Sequence, residues 1–412
     1  MTKQTKLVPK RRFKEFKNNH AWEKRKFDEE VEFYSGLTYS PTNVSKSGTL
    51  VLRSSNVKNG EIVSADNVYV KSEIVNSSNV QKGDIIVVVR NGSRSLIGKH
   101  AQIKKDMAKT VIGAFMTGIR SQQSNFINTL LDTHAFKAEV DKNLGATINQ
   151  ITNGMFRSMQ FLFPESEEQK TIGLLFAQID QLIINQQHKL EKTKVLKAAY
   201  LSEMFPAEGE LVPKRRFSGF TQDWEKCRLG EVSPLRGGYA FQSSKFKKNG
   251  IPILRISNIL PNGTTGGEYA YYEEQDNDNN YTLSEGAALL AMSGATTGKV
   301  SILTNLKCKK VYQNQRVGYF SDLTLVDYGF ISVIVRSHLF TNQVKSTLVA
   351  GAQPNISSKE VNNFLFCIPT KIEEQIKIGN FFKQLDDIIT HHQSKLEKLQ
   401  NLKKAYLHEM FV

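Results

Sequence analysis

Cysteine is scarce in this chain. There are three in 412 residues, Cys227, Cys308 and Cys367, far apart in the sequence. That odd number and wide spacing exclude a disulfide framework and a zinc-finger pattern. A reducing cytoplasm is the simplest compartment for such a chain. Long apolar runs are missing too: none reaches the roughly 18 to 20 residues needed to cross a bilayer. The opening segment from Met1 to Arg12 is polar and basic, without the apolar centre of a secretory signal. No two prolines are adjacent, which removes the Asn/Asp-Pro-Pro-aromatic tetrad of adenine methyltransferases. Neither Gly-x-Ser-x-Gly nor His-Glu-x-x-His occurs. Gly294-Ala-Thr-Thr-Gly-Lys299 comes nearest to a phosphate loop. It is one residue short and has Val300 where a hydroxyl should hold magnesium. Carboxylates are scattered and nothing focuses them. The expectation is a chain with no catalytic residue and no metal of its own.

Acidic residues are in deficit. Lys and Arg number 55 against 40 Asp and Glu, a formal charge of +15. A basic surface favours polyanions, of which nucleic acid is the commonest in a cytoplasm. Tryptophan occurs twice, and its placement shows that the chain is written twice. Trp22-Glu-Lys24 recurs as Trp224-Glu-Lys226, and Leu7-Val-Pro-Lys-Arg-Arg-Phe13 recurs as Leu211-Val-Pro-Lys-Arg-Arg-Phe217. Gly98-Lys99 returns as Gly298-Lys299, and His134-Ala-Phe136 as His338-Leu-Phe340. Glu167–Phe205 aligns without gaps on Glu373–Phe411, with 22 of 39 positions identical. The middles of the halves diverge far more. Similar frames hold different inserts.

Each half closes on a helical pattern. Ile172, Phe176, Ile179, Ile183, Leu190, Leu196 and Tyr200 fall on one stripe. Ile378, Phe382, Leu385, Ile389, Leu396, Leu402 and Tyr406 form its counterpart. Ser166 with Gln169 and Thr370 with Glu373 resemble capping boxes, and Pro206 stops the first helix. About 37 residues give a rod of roughly 55 Å. A rod that long needs a partner for its stripe. Its twin is the natural one, and short tails after both make the pair antiparallel. Gln186, Gln187, His188, His391, His392 and Gln393 interrupt the stripes at mid-length. Buried polar residues there would fix register; a metal site and plain solvent exposure are the alternatives.

The inserts read as mixed α/β. Strand-like runs lie at Leu50–Leu52, Ile85–Val89, Ala101–Ile103, Ile253–Leu254 with Ile256, Ala287–Met292 and Val300–Leu303. One helix per half is expected, at Phe126–Val140 and Phe330–Val344. Asn59-Gly60, Asn91-Gly92, Asn249-Gly250 and Asn262-Gly263 read as turns. Polar clusters flank these strands: Arg53 and Asn56; Arg90, Asn91 and Arg94; Arg255 and Asn258; Ser293, Thr296 and Thr297; Gln313, Asn314, Gln315 and Arg316. Arg can bond guanine O6 and N7 bidentately, and Asn or Gln can bond adenine N6 and N7. Lys99, Lys299 and the two Lys-Arg-Arg runs suit phosphate contacts.

Taken together, the chain resembles the specificity subunits of type I restriction-modification systems. The resemblance rests on Tyr239-Ala-Phe-Gln-Ser-Ser-Lys-Phe246, Ile251–Ile259 and Ser293–Lys299. It rests also on Pro164, Glu168-Gln169, Ile172 and Gly173, with Pro369, Glu374-Gln375, Ile378 and Gly379 as their repeat. The first insert departs from the family text, with Phe33-Tyr-Ser-Gly-Leu37 in place of the Tyr-Ala-Phe string. The resemblance implies two α/β target-recognition domains (1–163 and 207–368) separated by two helical spacer regions (164–206 and 369–412). The readers proper would run from Thr42 to about Phe163 and from Tyr239 to about Phe366. Each would read one half of a split site in double-stranded DNA. The spacer would dock two methyltransferase subunits, with restriction translocase-nuclease subunits completing the enzyme. S-adenosylmethionine, ATP and Mg2+ would bind those partners and no cofactor would bind this chain. A rod of roughly 55 Å exceeds one turn of B-DNA, about 34 Å, and would leave unread bases between half-sites. The alternative is a stand-alone DNA-binding or architectural regulator; a third class, an enzyme, has no motif behind it.

Overall fold

The two halves share most of their elements in the same order, but among the described residues the Val57–Lys58/Glu61–Ile62 hairpin occurs only in the first. The structure is a computed structural model, and it describes residues 7–144, 149–207, 209–304, 308, 310–350 and 355–412. It divides into two compact units, Met1–Lys189 with His392–Val412, and Leu190–His391. The unit boundaries fall inside two long helices, Ser166–Glu203 and Ile372–Met410.

In the first unit, strands Glu32–Ser35, Met116–Arg120, Ile85–Val88 and His100–Gln102 form an antiparallel sheet in that order. A second sheet orders Thr110–Ile112, Thr49–Leu52, Val68–Val70 and Val44–Ser45, its first pair parallel. Glu23–Lys26 pairs with Gln160–Phe163. The second unit repeats this with Leu235–Arg236, Val317–Phe320, Ala288–Ala291 and Val300–Ile302 in one sheet. Its other sheet orders Ala270–Tyr272, Ile251–Leu254, Val311–Gln313 and Thr282–Leu283. The expected strands are present, except that Ile256 starts a 3-10 turn, Ile256–Asn258, after the strand Ile251–Leu254 has ended. The Asn59-Gly60 turn joins Val57–Lys58 to Glu61–Ile62, with φ of 52° and 76° at the two turn residues, the positive values a two-residue hairpin favours.

Each expected mid-half helix is instead two. Ser124–Leu130 precedes His134–Asn143, and Tyr328–Ile334 precedes His338–Ala350. Thr133 makes the first break: its hydroxyl donates to the Leu130 carbonyl and accepts from the Phe136 N–H. Ser337 does the same between Ile334 and Phe340. A β-hydroxyl that caps the next helix competes with continuation of the last one. The repeated His-x-Phe string follows this break and sends Phe136 and Phe340, both at most 1% exposed, into the cores. The repeated Gly-Lys lies opposite. Gly98 and Gly298 both have φ of 84°, a value that favours glycine, and a side chain at Gly298 would also press on Val344.

The long helices pair antiparallel inside each unit. In the first, Lys403 bridges Asp180 and Asp132, at 2.5 Å each. Further along the same pair, the Gln186 amide nitrogen lies 2.7 Å from His392 Nδ1 and donates to the His392 carbonyl at 3.1 Å. In the second, Lys197 pairs with Asp386, and Tyr200 packs on Phe381 at 5.0 Å. Buried Gln186, 5% exposed, is therefore a polar register contact. Among the described residues no three His, Cys, Asp or Glu side chains gather as metal ligands. Burial alone would raise the Asp386 carboxyl, but Arg336 and Lys197 outweigh it and hold the group below the usual carboxylate range.

The stripe needs one correction. Leu196 and Leu402 are 43% and 41% exposed. From Leu190 or Leu396, a step of seven residues stays on the seam, whereas a step of six turns about 120° away. The seam positions are thus Lys197 and Lys403, each held by a carboxylate. Ile172, Phe176, Ile179, Leu190, Ile378, Phe382, Leu385 and Leu396 are buried, and Ile183, Ile389, Tyr200 and Tyr406 half-buried.

The ends of the helices are exchanged between halves. Met410 belongs to the first unit's core, and Phe411 stacks there on Phe126 and meets Trp22 edge-on at 5.8 Å. Met204 and Phe205 do the same for Trp224 and Phe330 in the second. The repeated Arg-Arg runs staple this arrangement, which removes most of their expected role as phosphate contacts. Arg12 donates two hydrogen bonds to Glu168, at 2.7 and 2.6 Å, at the start of one helix. Arg11 bonds Glu409 at the end of the other. Arg216 with Glu374, and Arg215 with Glu203, repeat the pattern.

Arg12 and Glu168 have side chains only 5% and 0% exposed. Removing one partner strands a buried charge, at about 3–5 kcal/mol. Arg12→Ala should therefore cost that order in chemical denaturation. Arg11→Ala, whose pair is exposed, should cost far less than Arg12→Ala. Equal costs would contradict the staple.

Candidate nucleic-acid interface

The loops that leave each unit's sheets gather the polar residues singled out in the sequence. In the first unit, Asn91 donates to the Ser54 hydroxyl at 3.2 Å, and Lys99 reaches the Ser54 carbonyl at 3.5 Å. Arg90 bridges to Gln150 across the backbone, and its guanidinium lies over the Phe115 ring at 4.9 Å. Arg94 is exposed, and its guanidinium donates to the Asp141 carbonyl at 3.4 Å. The loops 53–56, 90–94, 113–116 and 149–150 thus share one edge.

The second unit gathers the equivalent loops. Ser293 bridges to Asn355, and Asn314 to Tyr239. Gln315, Arg316 and Lys299 are exposed, while Ser293, Thr296, Thr297 and Asn314 are half-buried. Thr297 donates to the Gly294 carbonyl at 2.6 Å and so closes its own turn. Gly294–Thr296 is one turn of 3-10 helix, and a strand, Val300–Ile302, follows where a phosphate loop would open a helix.

Three candidates are corrected by burial. Asn56 and Asn258 are 0% exposed. Each accepts from the backbone N–H of Arg53 or Arg255 and donates to loop carbonyls: Val63 and Ala65 for Asn56, Gly266 and Glu268 for Asn258. These amides fold the loop and have no donor left for a base. Gln313, also 0% exposed, spends its amide nitrogen on the Arg236 and Val317 carbonyls. Arg53 and Arg255 each give one guanidinium nitrogen to a loop carbonyl, Asp66 or Glu268, and remain half-buried. The exposed cations left at the loop edges are Arg90 and Arg94 in one unit, Lys299 and Arg316 in the other.

Asn and Arg beside a strand look alike in sequence whether they close a loop or face outward. The repeated Arg-x-Ser-Asn string was a signal of closure, since both copies do the same job. Phe115, 54% exposed among these polar loops, was missed because an apolar residue between two strands reads as core.

The first unit also holds a cavity of about 600 Å³ behind its loops, lined by Lys99, His100, Asp132, Asp180 and Lys403 among others. His100 Nε2 lies 3.6 Å from Asp132. Asp132 and Asp180 share Lys403 there, while Arg94, Lys99, Lys104 and Lys137 against Asp141 leave the lining with a cationic excess. Burial pushes the Cys227 thiol up to about 11 and raises that of Cys367 as well, so neither is a thiolate at neutral pH.

The type I restriction modification DNA specificity domain, as a family model, matches the chain twice, over residues 19–194 and 221–401. The chain belongs to the type I restriction-modification DNA specificity family. The MjaVIII specificity subunit of Methanocaldococcus jannaschii is 25% identical over 273 residues, covering 64% of this chain and 64% of that protein's length. The EcoKI specificity subunit of Escherichia coli K12 is 25% identical over 390 residues, 88% of this chain and 81% of that one. A crystal structure of the S subunit of the type I system from M. genitalium shares the fold. It superposes with a TM-score of 0.70 over 98% of this chain and 99% of that one, at 15% identity. The mixed α/β repeat with two paired long helices is thus a fold that this chain shares with that S subunit, and among the described residues no helix is long and apolar enough to cross a membrane.

Proposed function

We propose that this specificity-family chain is the DNA-reading subunit of a type I restriction-modification complex in the cytoplasm. Each unit reads one half of a split site in double-stranded DNA. The observation that carries the reading is the double match of the specificity domain, one copy on each unit's set of loops. The exposed Arg90, Arg94, Lys299 and Arg316 suit guanine edges and phosphates at those loops. The chain itself performs no reaction. Methyltransferase subunits, one per unit, dock on the helical spacer, bind S-adenosylmethionine and flip the target adenine. Restriction subunits supply ATP- and Mg2+-dependent translocation and cleavage. The lengths of the two long helices set the number of unread bases between the half-sites.

Exchanging residues 42–163 for those of a relative with a different site tests this. Methylation by the reconstituted complex should change at one half-site completely and keep the other half-site and the spacer. A methylation site left unchanged, or altered on both sides, would sink the assignment of one reader to each unit.

A further inference from the structure

The two units place different side chains on the same two backbone positions. In the first, the N–H groups of Val89 and Arg90 donate to the Phe115 carbonyl, at 3.0 and 3.3 Å. In the second, the Met292 N–H donates to the Arg316 carbonyl at 3.0 Å. Arg90 bridges to Gln150 as Ser293 bridges to Asn355. Arg90 and Phe115 thus correspond to Ser293 and Arg316. The frame supplies one arginine at this paired position in either unit, but from opposite loops. What changes is its neighbour, a phenyl ring in one case and a hydroxyl in the other.

Phe115 is 54% exposed and belongs to none of the buried apolar clusters among the described residues. Its neighbour Met116, at 2%, already fills the core, so Phe115 is not needed there. The Arg90 guanidinium covers the ring at 4.9 Å. Among the described residues it has no hydrogen-bond or ion-pair partner. A guanidinium held over a ring keeps its plane while its N–H fork stays available. One face of the phenyl is thereby occupied, which leaves its rim outward and disfavours insertion between stacked bases. In a major groove, an arginine fork suits guanine O6 and N7, and a phenyl rim suits the C5-methyl of thymine.

We infer that Phe115 is a specificity-determining residue of the first unit, contacting a thymine methyl beside a guanine held by Arg90. The inference rests on the proposed reading of DNA by this unit. It goes further in assigning a base contact to an apolar side chain and in requiring thymine in that half-site.

The test uses the full chain with its methyltransferase subunits and the half-site that exchange of residues 42–163 assigns to the first unit. Binding is measured on duplexes in which each thymine of that half-site is replaced in turn by deoxyuridine, which lacks only the methyl group. Loss of one methyl contact should weaken wild-type binding about fourfold at one position. Phe115→Ala should bind the thymine duplex about tenfold more weakly and be indifferent to deoxyuridine. Phe115→Leu should keep most of the sensitivity, and the other half-site should be unaffected in all variants. Wild-type binding that ignores deoxyuridine everywhere, or a half-site without thymine, overturns the inference. So does a Phe115→Ala variant as sensitive to the substitution as wild type. A uniform loss with altered DNA bending would indicate a wedge and overturn it equally. A wild-type complex without any sequence preference would instead overturn the reading on which the inference rests.

Discussion

Deleting residues 392–412 should unfold the first unit and leave the second intact. The deleted segment belongs wholly to the first unit. It supplies Met410 to the core, packs Tyr406, Leu407 and Phe411 against it, and carries Lys403, which neutralises Asp132 and Asp180. Losing a core Met and Phe costs about 2–5 kcal/mol each. Stranding two half-buried carboxylates adds to this. A unit of this size has about 5–15 kcal/mol in all, so the expected result is loss of the fold rather than a shift. Hydrogen exchange should show residues 7–144 unprotected, while the sheets between 225 and 368 keep their protection. The repeat makes a companion result follow. A chain of residues 1–206 carries Lys197, Met204 and Phe205, the equivalents of Lys403, Met410 and Phe411. It should fold as a homodimer in which each copy's helix end completes the other's core. A folded monomer of that half-chain would show that the exchanged ends are dispensable.

The second large effect concerns partners. Leu182 and Leu402, both in the first unit, are 53% and 41% exposed. Ile388 and Leu196 hold the equivalent positions in the second, at 44% and 43%. Leu182 and Leu402 lie at the level of the Asp180–Lys403 bridge on the antiparallel pair. Ile388 and Leu196 lie at the level of Asp386–Lys197. Exposed leucine and isoleucine side chains at matched points of a repeated frame, beside buried seams that do not need them, suit two identical partners. Leu182→Asp with Leu402→Asp should remove one methyltransferase subunit, and Ile388→Asp with Leu196→Asp the other. Burying an unpaired carboxylate at an interface costs several kcal/mol, so affinity should fall by at least about a hundredfold per site. Native mass measurement should show one subunit lost in each double variant and both lost in the quadruple one. Complexes of unchanged mass would reject this docking surface.

Much of the frame was legible because it is repeated. The 22 shared positions of the terminal segments gave the long helices, their antiparallel pairing and the polar register at Gln186. The exchange of helix ends was not legible, because either Met-Phe could in principle fill either core. The Arg-Arg runs were misread for a related reason. A cation whose carboxylate partner lies 156 residues away, as Glu168 does from Arg12, looks like a free phosphate ligand in sequence. At the loops, the exposed Arg90 and Arg316 were legible as candidates. Asn56, Asn258 and Gln313 were not separable from them, since only burial shows that their amides serve the backbone. Phe115 was invisible for the converse reason, being an apolar side chain that the fold leaves outside. The break between paired helices could have been found, because Thr133 and Ser337 precede the repeated His-x-Phe string at the position a cap requires.

The most direct measurement is a map of methylated adenines in cells with and without this gene. The account predicts a gene-dependent motif of two fixed half-sites, separated by a constant number of unspecified bases and methylated on both strands. A gene-dependent motif that is continuous, or a methylation pattern that does not depend on the gene, would contradict it.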